Sequence, residues 1–251
     1  MNKPLLPEPP PLDLDRSALF LDYDGTLVGI APTPAEARAD DELRDLLRDL
    51  LVRLNGAVAI ISGRRVADID HFLAPLRLTV AGLHGLELRR HDGSLVQCAA
   101  ADDSLERVRA AFRSFVARNP GTLLEDKRLT VALHYRLAPS AAEEAAVLAA
   151  RLAEESGGTL RLQQGKMVVE LLPAGRDKGR AIEDLLALPE FAGRDPVFVG
   201  DDVTDEAGFL VVNRRGGISV RVGAADHPTE ARRCLADIGA LRRWLHASLA
   251  R

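Results

Sequence analysis

Lysine is nearly absent from this chain. Only Lys3, Lys127, Lys166 and Lys178 are lysines among 33 basic residues, and the rest are arginine. A solvated surface takes either cation, but a site built for a compact ammonium does not take a guanidinium, so the three internal lysines are site candidates. Cysteine is equally scarce. Cys98 and Cys234 lie far apart in no metal-ligand spacing, which speaks against a zinc site and fits two thiols in a reducing compartment. There is no basic excess, since 33 basic residues face 37 acidic ones, and so no stripe for a nucleic-acid partner. No run approaches the ~18 apolar residues of a membrane span. The start, MNKPLLPEPPPLDLD, has too many prolines and acids for a secretory signal. A soluble, cytoplasmic monomer is expected, with residues 1–15 as an extended, poorly ordered lead-in. What the chain does have is apolar substance, 47% over 251 residues, enough for one large domain or two modest ones.

The order of elements points to an α/β fold. ALFLD (18–22) is a short apolar run ending in an acid, as in a buried strand of a parallel sheet. Leu43, Leu46, Leu47, Leu50, Leu51 and Leu54 recur at helical spacing, with Asp40 placed as N-cap and Asn55-Gly56 as the stop. AVAII (57–61), a helix over 64–73 and LTVAG (78–82) continue the alternation of a doubly wound parallel sheet. The middle breaks that rhythm. LELRR and SLVQC flank the turn dipeptide Asp92-Gly93. Helices at about 103–118 and 140–156 then alternate with strand-like TVALHYR (130–136) and MVVELL (167–172). An α+β insert over 96–172 is therefore expected in a core of 1–95 and 173–251. In the core's second part a helix starts near Lys178, strands follow at 196–200 and 218–222, and two helices close the chain, Pro228 fitting the first turn of one.

Ligands of open α/β sheets bind beyond the carboxyl ends of the strands. There the sequence places Asp22-Tyr23-Asp24-Gly25-Thr26, Ser62-Gly63-Arg64 and Gly200-Asp201-Asp202-Val203-Thr204-Asp205, with Lys178 opening a helix. A carboxylate is a competent nucleophile on phosphorus. Asp22 and Asp24, backed by Asp201, would repel one another unless a hard cation such as Mg²⁺ joined them. Thr26, Ser62, Lys178 and backbone N–H groups near Gly25 and Gly63 supply donors for a transferring phosphoryl. This chemistry describes a Mg²⁺-dependent phosphatase acting through Asp22 on a small phosphorylated substrate.

These residues resemble the haloacid dehalogenase superfamily of phosphatases: FLDYDGTL, IISGR, the Lys178 segment and VFVGDDVTDE match its four motifs in order. AGLHGLE (81–87), LEDK (124–127), TVALHYR, QQGKMVVELLPAGRDKG (163–179) and VGDDVTDEAGFLVVNRRGG (199–217) are in addition similar to trehalose-6-phosphate phosphatases. No motif is found at 88–120. The resemblance implies a Rossmann-like core with a mobile cap. It implies that Asp22 is nucleophile and metal ligand. Asp24 would be the general acid and then the general base, binding Mg²⁺ through its carbonyl, and Asp201 the third ligand. Asp202 and Asp205 would hold metal-bound water or orient neighbours. Ser62 and Lys178 would bind phosphoryl oxygens, with Gly63, Arg64 and Arg136 also on the substrate. Glu125, Lys127 and Glu170 would read the sugar; on physical grounds alone they fit an exposed sheet face equally well. His84 and Glu87 fit either substrate positioning or bracing of their loop. Lys166 fits a turn or a sugar contact, and His134 fits packing or a hydrogen bond within the insert. Trp244 is expected in the core. A phosphatase of another sugar phosphate, a phosphosugar mutase and a non-enzymatic phospho-receiver remain alternatives.

Overall fold

The structure, a computed structural model, describes residues 6–30, 38–98, 103–224 and 227–250. The chain forms two units, Met1–Gln97 with Asp177–Arg251, and Cys98–Arg176. The divisions thus fall a few residues after those expected at 95/96 and 172/173. The first segment carries β1 (Ser17–Leu21), α1 (Asp41–Arg53), β2 (Val58–Ile61), α2 (Val66–Leu73), β3 (Thr79–Gly82), β4 (Glu87–Arg89) and β5 (Leu95–Gln97). The second unit holds α3 (Asp103–Arg118), β6 (Leu123–Asp126), β7 (Val131–His134), α4 (Ala142–Glu155), β8 (Leu160–Gly165) and β9 (Val168–Pro173). The returning segment adds α5 (Lys178–Leu186), β10 (Asp195–Gly200), α6 (Glu206–Arg214), β11 (Ile218–Val222), β12 (Arg233–Leu235) and α7 (Ile238–Leu249).

The first unit is built on an eight-stranded sheet in the order β12-β11-β10-β1-β2-β3-β4-β5. It is parallel from β12 to β3 and antiparallel over the β4–β5 hairpin. β1 lies between β10 and β2, where the winding of the sheet reverses, and the crevice for a ligand opens at such a point. Strands buried on both faces read as unbroken apolar runs, and every residue of β1 and β2 is buried. Helix α1 forms as its leucine spacing requires. Asp40 accepts the Leu43 N–H at 2.8 Å, and Leu43, Leu46, Leu47 and Leu50 are buried, each contributing about 1.5–3 kcal/mol of transfer free energy. The left-handed pair Asn55 and Gly56 then ends it.

The lead-in expectation is corrected over residues 6–15; residues 1–5 lie outside the described residues. Leu12 and Leu14 are buried. The Leu12 N–H donates to Ser248 Oγ at 3.0 Å, the Trp244 indole N–H donates to the Pro10 carbonyl at 2.9 Å, and the Cys234 N–H donates to the Pro7 carbonyl at 3.1 Å. The prolines preset an extended segment that lies along α7 and β12, and Trp244 is buried as expected. A second correction concerns the end of the chain. Among the described residues only α7 follows β11 as a helix, and Pro228 sits in irregular backbone. Strands β6, β8 and β12 and helix α6 were not foreseen.

The second unit pairs a four-stranded antiparallel sheet, β6-β7-β9-β8, with α3 and α4. Val131, Leu133, Val169 and Leu171 pack with Leu105, Val108, Phe112, Phe115, Ala145 and Ala149 into one closed core. Its first and last residues touch: the Arg176 guanidinium contacts Cys98 Sγ at 2.7 Å. Among the described residues no helix is long and apolar enough to cross a membrane.

Candidate active site

Four chain segments deliver charge to the carboxyl edge of the parallel sheet. Asp22 leaves β1 with its N–H donated to the Val199 carbonyl at 2.9 Å, and its residue is 3% exposed. Lys178, the first residue of α5, is buried as well. Its Nζ donates to Asp22 Oδ1 at 2.7 Å and to Asp205 Oδ1 at 2.6 Å. Asp205 Oδ2 accepts the backbone N–H groups of Asp201 and Asp202, both at 2.9 Å. Asp202 caps the single 3-10 turn Val203–Asp205 that leads into α6. One carboxylate oxygen from each of Asp22, Asp201 and Asp205 lies within 4.8 Å of the others. Gly25, at φ +85°, passes over this group so closely that a Cβ there would lie 2.2 Å from Asp201 Oδ2; only glycine fits.

Three buried carboxylates face one ammonium. Burial pushes the Asp22 carboxyl well above its ordinary range, and Asp205 and Asp201 push the same way, outweighing the pull of Lys178. Burial alone would lower the Lys178 ammonium, but Asp205 and Asp22 outweigh it and hold Lys178 firmly protonated. The cluster therefore carries an excess of negative charge that is relieved by a proton or by a cation.

Asp24 is half-buried and its carboxylate points elsewhere. Arg64 grips it bidentately, Nε to Oδ2 and Nη2 to Oδ1, both at 2.6 Å, while the guanidinium lies over the rings of Phe72 and Tyr23 at 5.0 and 5.9 Å. Arg64 had been expected on the substrate; here its partner is an acid of the site. Thr26 is also placed differently from expectation. It is fully buried and donates to Asp201 Oδ1 at 3.2 Å, so it orients a carboxylate. Neither pairing has a signal in sequence, because each joins residues about 40 or more positions apart.

Ser62 follows β2, buried at 1% exposure, with its Oγ accepting the Arg64 N–H at 3.1 Å. Opposite it, Leu83, His84 and Gly85 are three successive residues at positive φ. Their turn is held by Leu83 N–H on the Arg64 carbonyl and His84 N–H on the Ser62 carbonyl. The imidazole of His84 then lies where a Cβ on Gly63 would come within 2.6 Å of Nε2. A left-handed non-glycine residue stores strain of about 1–3 kcal/mol, and here it holds a ring against the loop that carries Ser62. Glu87 takes the bracing role: its Oε2 accepts the Val66 N–H at the start of α2, and its Oε1 accepts Gln97 Nε2.

In the second unit the sheet face opposite the helices is polar. The register aligns Glu125 with Ala132, Ala132 with Glu170, and Glu170 with Gln163 across all four strands. Lys127 and Glu170 are buried at 8% and 6% exposure. Lys127 Nζ donates to Glu170 Oε1 at 3.1 Å, and the Thr130 hydroxyl donates to the same oxygen. Glu125 Oε2 lies 2.7 Å from His134 Nε2 and 3.9 Å from Lys127 Nζ. Arg136 Nη2 donates to the Lys166 carbonyl at 3.1 Å. The hydrogen bond expected for His134 within the insert is the one to Glu125; Thr130 has no signal of its own in the sequence, although Thr130, Ala132 and His134 alternate at the period of a strand face.

A family model described as trehalose-phosphatase matches residues 20–238. A probable trehalose-phosphate phosphatase of Sinorhizobium fredii is 42% identical over 230 residues, spanning 92% of this chain and 86% of the relative. The trehalose-6-phosphate phosphatase of Escherichia coli is 39% identical over 245 residues, spanning 98% and 90%. Among solved structures, the C-terminal domain of the C. albicans trehalose-6-phosphate phosphatase superposes with a TM-score of 0.85 at 24% identity over 98% of each chain, a likeness of fold.

Proposed function

Because the chain belongs to the trehalose-phosphatase family, we propose that it hydrolyses trehalose 6-phosphate to trehalose and inorganic phosphate with Asp22 as nucleophile. The observation that carries this reading is the buried Asp22–Lys178–Asp205 group at the end of β1, with a second acid two residues on. A carboxylate oxygen of Asp22 forms the bond to phosphorus, and the bond from phosphorus to the sugar oxygen breaks. That oxygen takes its proton from Asp24. Water then attacks the aspartyl-phosphate at phosphorus, gives a proton back to Asp24 and frees the Asp22 carboxylate. For Asp24 to exchange protons, the Arg64 fork has to loosen, and its guanidinium then suits the arriving phosphoryl oxygens. Ser62 and Lys178 supply further donors. On the second unit Glu125, Lys127 and Glu170 combine acceptors and a donor in the way sugar hydroxyls require.

The donor set fits Mg²⁺: it is all oxygen, buried and over-charged with carboxylates. Asp22 and Asp201 are the side chains that would hold the ion, with the Asp24 carbonyl that the family resemblance adds. Asp205, whose oxygens already accept Lys178 and two backbone N–H groups, orients the others, as does Asp202. When bound, the ion neutralises these carboxylates and polarises the phosphoryl group.

Phosphate release tests the substrate. With Mg²⁺ present, kcat/KM for trehalose 6-phosphate is expected to exceed that for glucose 6-phosphate by about 100-fold or more, since a site built to pair hydroxyls rejects ligands that lack them. Equal values would sink the assignment. Chelation is expected to remove activity, and added Mg²⁺ to restore it. The Mg²⁺ requirement should ease as pH rises, because the ion has to displace the proton that burial holds on Asp22. Turnover in a metal-free preparation would contradict the metal assignment.

A further inference from the structure

We propose that His134 is a positioning residue for substrate specificity, acting by fixing the carboxylate of Glu125. This rests on the reading of the second unit's polar face as the surface that recognises the sugar. Glu125 sits on β6, an edge strand of its sheet, and stands opposite Ala132, whose methyl group is too small to hold a three-torsion side chain. Glu170, one strand further on, has Lys127 and Thr130 on one of its oxygens. The corresponding hold on Glu125 comes from the diagonal neighbour on β7: His134 Nε2 at 2.7 Å from Oε2, with Lys127 beyond hydrogen-bond reach at 3.9 Å. Diagonal pairs across antiparallel strands are within reach of side chains of this length.

The chemistry fixes the direction of the bond. Burial pushes the Glu125 carboxyl up, but the His134 hydrogen bond and the Lys127 charge outweigh it and hold the group below its usual range. An ionised carboxylate only accepts, so Nε2 carries the proton and donates. The bond takes up Oε2 and fixes the carboxylate on its strand face. A glutamate held this way has lost its rotamer freedom before the sugar arrives, and binding does not have to supply that ordering.

The test compares trehalose 6-phosphate with para-nitrophenyl phosphate, a small ester that has no sugar to be read. His134→Ala is expected to lower the ratio of kcat/KM between the two substrates by about tenfold, which corresponds to about 1.4 kcal/mol, with the loss falling on KM for the sugar phosphate. His134→Gln, whose amide can donate from the position of Nε2, is expected to recover most of the ratio, whereas the shorter His134→Asn is not. In a Glu125→Ala background, His134→Ala is expected to add little further loss, because residues acting as one unit are not additive. An unchanged ratio in His134→Ala, or a full additional loss in the Glu125→Ala background, overturns the proposal. If Glu125→Ala itself leaves the ratio intact, the sugar-reading assignment of the face falls, and this proposal with it.

Discussion

An Asp22→Asn protein is expected to release phosphate at least about four orders of magnitude more slowly than the parent, the scale seen when a nucleophile is removed from a cooperating group. It is also expected to be no less stable, and the two results together are diagnostic. Asparagine matches aspartate in shape, and its carbonyl can still accept from Lys178. What disappears is a negative charge that the site disfavours. In the metal-free protein the folded-state pKa of Asp22 lies above its unfolded value. Its favourable contribution is therefore complete below the ordinary carboxylate range and is lost as pH rises through the folded-state value. Asparagine does not titrate. Melting temperatures measured in chelator should then favour the variant increasingly from about pH 4 upward. A destabilised variant would mean that Asp22 holds the fold together; substantial residual turnover would mean that another group attacks phosphorus.

Lys178→Met is expected to move stability in the opposite direction. The ammonium is the cation shared by Asp22 and Asp205, and methionine fills its volume without its charge. Removing one partner of a buried ion pair typically loses about 3–5 kcal/mol, and here two carboxylates are left facing each other. Turnover should fall as well, since the donor to the transferring group goes with it. Lys178→Arg should not rescue activity: a planar fork cannot stand in for a compact ammonium held between two oxygens at 2.7 and 2.6 Å. Thermal denaturation in chelator, alongside turnover with Mg²⁺, checks both effects. A Lys178→Met protein melting with the wild type would remove Lys178 from its place as counter-charge.

How far the sequence could be read depended on the kind of signal each part leaves. The Rossmann-like core was legible because apolar runs such as AVAII and the leucine face of α1 have periods that only one element satisfies. The carboxyl edge was legible because four separate runs each end in polar or acidic residues. Strand β6 escaped because Leu123 and Asp126 are exposed on an edge and show no alternation. Strand β12 has three residues, too few for any period to emerge. The proline-rich start reads as disordered by its proline content, whereas the deciding residues are Leu12 and Leu14, which are buried in the core. Side-chain pairings were the least legible. Arg64 with Asp24, Thr26 with Asp201, and His134 with Glu125 depend on where strands end in space, and a single chain of letters carries no distance.

The contact between Cys98 and Arg176 has an architectural consequence. A segment whose first and last residues hold each other closes its own loop at its base, whatever its length. The loop-closure penalty that a long flexible insertion would impose on folding of the sheet is then taken over by the insert's own core. Such a joint permits the second unit to be enlarged, shortened or replaced as a single contiguous block while the host sheet keeps its strands.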